Sequence, residues 1–117
     1  MYIGQLAKLS GATPKAIRLY EALGLIPTAV RQGKYRVYAH RDVALVHMIR
    51  RGQAAGFSLA ELKTLAQIKA QTHHLDVGEA NLLIARKREQ LRQEIDAIAL
   101  RDQQLAALHE EVNRSFA

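Results

Sequence analysis

Cysteine is absent from this chain, and that absence excludes disulfides, thiolate metal sites, iron–sulfur clusters and cysteine nucleophiles together. Tryptophan is absent too, and residues 59–117 hold a single aromatic ring, Phe116, too few to line an aromatic drug pocket. Apolar runs such as Val43 to Val46 fall far below the roughly 20 residues that a membrane-spanning helix needs. With no signal-peptide pattern either, the expectation is a soluble, cytoplasmic protein without membrane association. No glycine-rich phosphate loop, HExxH motif or paired-carboxylate arrangement is present, so no enzyme chemistry and no cofactor are expected. Acidic residues are scarce at one end only. Residues 1–58 carry nine Lys/Arg against two Asp/Glu, a balance of +7, whereas residues 59–117 balance at −1. A small basic module joined to a near-neutral one points the first half toward an anionic partner. At 117 residues the chain holds one ordinary domain, or a small domain with an extension.

The order of short elements is legible. Ile3 to Ser10 has apolar positions at 3, 6, 7 and 9, as in a short amphipathic helix, and Gly11 supplies a tight turn. Thr13 offers a capping hydroxyl and Pro14 suits the first helical position, where its missing N–H costs nothing. A second helix should run to about Leu23, with Gly24 as a left-handed stop and Pro27 preventing resumption. At about 100° per residue, Ala16, Ile17, Tyr20 and Leu23 share one face of it, and Lys15, Arg18, Leu19 and Ala22 the other. Two short helices around a glycine-containing turn form a helix-turn-helix pattern. The period then changes: Thr28 to Arg31, a Gln32-Gly33 turn and Lys34 to Tyr38 read as a basic hairpin. A basic hairpin placed there is what winged DNA-binding domains present to a phosphate backbone.

A third helix is expected from Arg41 to Ala55, poorly capped because Ala39 and His40 offer no good cap oxygen, and ended by Gly56. Ser58 and Glu61 form a capping box, with Phe57 and Leu62 placed for a hydrophobic staple, so a fourth helix starts at Leu59 and runs to about Ala70. Residues 71–78 read as a connector. From Glu79 to Asn113 there is neither proline nor glycine, and Ile84, Leu91, Ile98, Leu105 and Val112 recur every seven residues, widened by Ile95 and Leu108. That is a coiled-coil seam, too long to hide against a small head, so a homodimer is expected. Residues 84–93 carry +3 and residues 94–112 carry −4, which favours antiparallel over parallel pairing. The fold class that follows is mainly α: a winged helix-turn-helix head (1–70), the connector (71–78) and a dimerisation helix (79–117) forming an antiparallel coiled coil.

The stretches IGQLAKLSGATPKAIRLYEALGLI, KYRVY and RRGQAAGFSLAEL at these spacings resemble the MerR family of bacterial transcription regulators, closely from Ile3 to about Leu65 and in character beyond. TPKAIRLYE and LRDQQLAAL are most similar to the metal-sensor branch, although the cysteines of that branch are missing. The resemblance implies a homodimer on a pseudo-palindromic double-stranded DNA site, bending and untwisting a promoter spacer so that RNA polymerase engages both elements. It implies DNA contacts from Thr13, Lys15 and Arg18 on the second helix and from Lys34, Arg36 and Tyr38 on the wing. Leu19 stands where the family usually has an aromatic residue. It packs either on a sugar or thymine methyl, or under the wing against Tyr35. Tyr20 falls on the buried face, though the family places this tyrosine near the backbone, and Tyr38 has the alternative of a core ring. Arg50 and Arg51 form either a solvated face or part of a second wing.

His73, His74 and Asp76 are the remaining constellation. Adjacent connector histidines do not readily face one ion together, so a solvent or capping role is expected and no metal site is assigned. Two alternatives stay open: a metal-responsive regulator using histidine and carboxylate ligands, and a coiled-coil interaction module whose basic head binds acidic proteins.

Overall fold

A computed structural model describes residues 1–72 and 76–117. It divides into two compact units, Met1–Val77 and Gly78–Ala117. The first contains α1 (Ile3–Ser10), α2 (Pro14–Ala22), an antiparallel hairpin of β1 (Val30–Gln32) and β2 (Tyr35–Val37), α3 (Asp42–Ala54) and α4 (Leu59–Thr72). The long helix α5 (Val77–Phe116) makes up the second. Among the described residues no helix is long and apolar enough to cross a membrane.

Helix ends in the first unit are set by local chemistry. Thr13 accepts a hydrogen bond from the Ala16 N–H at 3.1 Å, with Pro14 opening α2 behind it. At the other end Gly24 adopts φ +75°; its N–H donates to the Glu21 carbonyl and the Leu25 N–H to the Tyr20 carbonyl. This paired closure satisfies carbonyls that the helix leaves open and needs a left-handed residue. The same closure ends α3, where Gly56 lies at φ +104°, its N–H donates to the Gln53 carbonyl, and Phe57 bonds back to Gly52. The capping box of α4 forms in both directions: the Ser58 N–H donates to Glu61 Oε1 at 2.9 Å, and the Glu61 N–H to Ser58 Oγ at 3.1 Å. Leu62 is buried and Phe57 half-buried, as the staple positions suggest.

Two expectations, on Leu9 and on the connector, need correction, whereas the weak start of α3 is as expected, with no side chain capping it at Arg41. Asp42, its first residue, is buried and accepts the Ala39 N–H from the segment ahead of the helix at 3.1 Å. A carboxylate in the first turn also suits the positive helix end. Leu9 is exposed, so α1 buries a narrower stripe centred on Leu6. The helices also overrun the expected connector at both ends, α4 reaching Thr72 and α5 beginning at Val77.

Leu6, Ile17, Tyr20, Leu25, Ile26, Tyr38, Leu45, Val46, Ile49, Leu62 and Leu65 are buried, drawn from every helix of the first unit and from the segments flanking the hairpin. α1 packs on α2 and α3, and α3 on α4. The last contact is close: a Cβ built on Gly52 would lie 2.7 Å from Leu62 Cδ2. In the hairpin, Gln32 faces Tyr35 across a two-residue loop. Gly33, at φ +63°, takes the loop position where hairpin turns matched to strand twist require a left-handed residue.

Within α5, Ile84, Leu91, Ile95, Ile98, Leu105, Leu108 and Val112 are 43–63% exposed. The 40-residue helix spans about 60 Å at 1.5 Å per residue. Arg92 lies 3.5 Å from Glu89 and Arg114 3.7 Å from Glu110, ion pairs local to the helix. Such exposed pairs contribute little to stability.

The α3–α4 contact yields one test. Gly52→Val forces two methyl groups into the Leu62 contact and is expected to lower unfolding free energy by about 1–3 kcal/mol, measured by urea denaturation.

Candidate nucleic-acid interface

Helix α2 carries the first half of the surface. Its cap fixes the N-terminal turn, and Ile17 and Tyr20 bury the opposite face. That leaves Thr13, Lys15, Arg18 and Leu19 in solvent, with Leu19 45% exposed. An apolar side chain between two cations is therefore open to a partner rather than packed away.

The hairpin carries the second half. The register sets Arg31 directly opposite Arg36. Like charges facing each other across two strands repel, so this arrangement favours a nearby anion. Arg18, Arg31, Lys34 and Arg36, together with Tyr2, Ile3 and Tyr35, line a cleft of about 240 Å³. The Tyr2 and Tyr35 rings meet at 5.5 Å with a 47° tilt. Among the described residues, Lys15, Arg18, Arg31 and Lys34 have no carboxylate within ion-pair distance.

One acid holds the two halves together. Glu21, on α2, accepts the Ala29 N–H through Oε1 at 2.8 Å and the Tyr38 hydroxyl through Oε2 at 3.0 Å. The same Oε2 lies 3.6 Å from Arg36 Nε, and the Glu21 side chain is only 10% exposed. Tyr38 also anchors the hairpin exit to the segment ahead of α1, since its backbone N–H donates to the Met1 carbonyl at 2.7 Å and its carbonyl accepts from the Met1 nitrogen at 2.8 Å.

The sequence-derived site residues are thus distributed unevenly. Arg18, Lys34 and Arg36 converge on the cleft, whereas Thr13, at the cap of α2, and Lys15 and Leu19, on the helix, are exposed but do not line it. Tyr20 and Tyr38 are core rings, each 2% exposed, with hydroxyls already committed: Tyr20 donates to Gln53 Oε1 at 3.0 Å and Tyr38 to Glu21. Arg51 is exposed. Arg50 is half-buried, its guanidinium lying where a Cβ on Gly11 would fall, 3.1 Å from Nε, and that Nε has no hydrogen-bond partner. Arg50 therefore covers the turn of the helix-turn-helix rather than standing on a solvated face. His73 and His74 lie outside the described residues. Among those described, no group of three or more His, Cys, Asp or Glu could hold a metal ion.

Sequence reasoning missed Glu21, Arg31 and Tyr2. Hairpin alternation offered a signal for Arg31, because a two-residue loop at Gly33-Lys34 forces residues 31 and 36 into register. Glu21 offered none beyond being one of two acids in a basic half, since its partners lie 8, 15 and 17 residues away.

A capped helix with free cations beside a cationic hairpin defines a winged helix-turn-helix head. Comparison with known proteins narrows this class. The chain matches the "MerR HTH family regulatory protein" description over residues 1–69 and "MerR, DNA binding" over residues 43–108. It belongs to the MerR family of regulatory proteins. A "Probable heavy metal-dependent transcriptional regulator" of Haemophilus influenzae is 34% identical over 111 residues, covering 94% of this chain and 86% of the relative. The "HTH-type transcriptional regulator HmrR" of Sinorhizobium medicae is 46% identical over 66 residues, 56% of this chain. That match spans about half the relative's length, at 45%. Among solved structures, the transcription regulator PbrR691 of Ralstonia metallidurans, crystallised with lead(II), superposes with a TM-score of 0.73 at 28% identity, covering 94% of this chain and 86% of that one.

Burial, and secondarily the hydrogen bond to Glu21, push the Tyr38 phenol up from 10.0 to about 12, against the opposing pull of Arg36 and Arg18. Burial also raises the Tyr20 phenol, opposed by Arg50. The folded protein thus holds the Tyr38 proton more tightly than the unfolded chain. Its contribution to stability is complete below pH 10 and is lost as pH rises toward about 12. Urea unfolding followed across that range should show falling stability, with a shallower fall in Tyr38→Phe.

Proposed function

We propose that this protein is a homodimeric, sequence-specific DNA-binding transcription regulator. Two heads, joined by an antiparallel coiled coil of α5, engage the two halves of a pseudo-palindromic promoter site in the cytoplasm. The observation that carries this reading is the meeting of Arg18, Arg31 and Lys34, free of carboxylate partners among the described residues, at one cleft of a single folded unit, with the exposed Lys15 one turn before Arg18 on α2. In this reading α2 enters a major groove. Lys15 and Arg18 reach phosphates or guanine edges, Leu19 meets a sugar or thymine methyl, and Thr13 lies at the helix start nearest the duplex. The hairpin, through Arg31, Lys34 and Arg36, follows the flanking backbone, and Arg51 is a further candidate on α3. Tyr20, Tyr38 and Arg50 support this surface from beneath, the tyrosines through the core and Arg50 across the Gly11 turn.

Family membership supports extending the reading to the promoter. Bending and untwisting the spacer lets RNA polymerase engage both elements. Deforming such a site costs a few kcal/mol, which phosphate contacts offset. The exposed apolar stripe of α5, with opposite charge at its two ends, supports the antiparallel dimer. The metal-dependent relatives do not transfer their sensing chemistry directly, because this chain has no cysteine to supply a thiolate.

Three measurements test the proposal. If four cations of each head meet phosphate, the logarithm of DNA affinity should fall by about 7 per decade of salt, with clear preference for an inverted repeat over a scrambled duplex. Equal affinity for both duplexes would support an acidic-protein partner instead. Arg18→Ala should cost about 1–3 kcal/mol of specific binding if it reads a base edge, whereas a loss near zero removes it from the interface. Ile98→Asp should yield monomers by sedimentation while leaving the melting of the head unchanged.

A further inference from the structure

The function proposed above needs α2 and the hairpin to meet one duplex at a fixed separation, yet their facing surfaces are both cationic. Arg18 on α2 and Arg31, Lys34 and Arg36 on the hairpin border the same cleft. Left alone, these groups drive the hairpin away from the helix, and a two-stranded hairpin has little stability of its own. Glu21 is placed to oppose this. It sits one turn from Arg18 on the same helix, and its contacts reach the entry of the hairpin at Ala29, the exit at Tyr38 and the cation at Arg36. Each carboxylate oxygen accepts a separate bond, so the group is held in one orientation and reports on both ends of the hairpin at once. Burial of its side chain strengthens these ties relative to a solvated ion pair.

We propose that Glu21 is a positioning residue for DNA recognition: it latches the wing to the recognition helix, fixing the spacing at which Arg18 and the hairpin cations meet successive phosphates. It touches no DNA in this account and acts through Arg36, Ala29 and Tyr38. The inference rests on the DNA-binding reading, and it predicts a sign opposite to simple electrostatics. Removing an acid beside a phosphate-binding cleft should tighten binding on charge grounds alone. Loss of the latch should weaken it.

The test compares wild type, Glu21→Ala and Glu21→Gln against two duplexes, one selected from random sequence by the wild-type protein and one scrambled. Glu21→Ala is expected to bind the selected duplex at least tenfold more weakly while holding or gaining affinity for the scrambled one. Hydrogen exchange should speed at the hairpin amides and not in α1 or α3. In the Glu21→Ala background, Arg36→Ala should lose most of its effect while Arg18→Ala keeps its own. Glu21→Gln retains the shape and one acceptor but not the charge that holds Arg36. It is expected to lose at least threefold, and it decides the matter if Glu21→Ala does not fold. A folded variant that binds the selected duplex as tightly as wild type, or tighter, overturns the proposal. A wild-type protein showing no sequence preference instead sinks the DNA-binding reading itself.

Discussion

The Glu21 carboxylate is the contact on which the head depends. It is one of two acids in residues 1–58, and the other, Asp42, is buried at the start of α3 with a hydrogen bond to Ala39. Both negative charges of the basic half are thus engaged within the fold, one joining helix to hairpin and one starting a helix. Their engagement leaves Lys15 and Arg18 of α2 and Arg31 and Lys34 of the hairpin facing outward with no carboxylate partner among the described residues. The resulting field is a structural consequence: the acids are held inside, so the excess charge appears on the surface.

Around that latch the head is assembled from short pieces with sharply defined ends. Helices of 8 and 9 residues are marginal in isolation, and here they gain definition from the left-handed stop at Gly11, the Thr13 cap and the closure at Gly24, while Gly56 ends α3 and the Ser58 capping box starts α4. Tyr20 and Tyr38 place large rings in a small core while their hydroxyls remain satisfied by Gln53 and Glu21. The same two residues therefore contribute packing and polar connection, which explains why burial raises both phenols.

The second unit follows a different logic. α5 has no glycine or proline after Gly78, and its apolar residues stand largely in solvent on a single helix. A seven-residue repeat on a 3.6-residue helix drifts by about 20° per repeat, which supercoiling about a partner corrects. The stripe is thus incomplete in one chain for a geometric reason as well as a hydrophobic one.

The sequence by itself determined the elements: where α1 and α2 begin, which residues stop them, the hairpin turn at Gly33, the capping box and the heptad stripe. These depend on contacts within four or so residues, and residue type alone decides such contacts. It also marked Arg18, Lys34 and Arg36 as surface cations. Tertiary structure was needed to make Tyr20 and Tyr38 core rings, to lay Arg50 over Gly11, to bury Asp42, and to bring Arg31 to the cleft. It also decided the role of Glu21, whose partners arrive from 8 to 17 residues further along the chain. No local periodicity encodes such a meeting, because it exists only once the hairpin has folded back onto the helix.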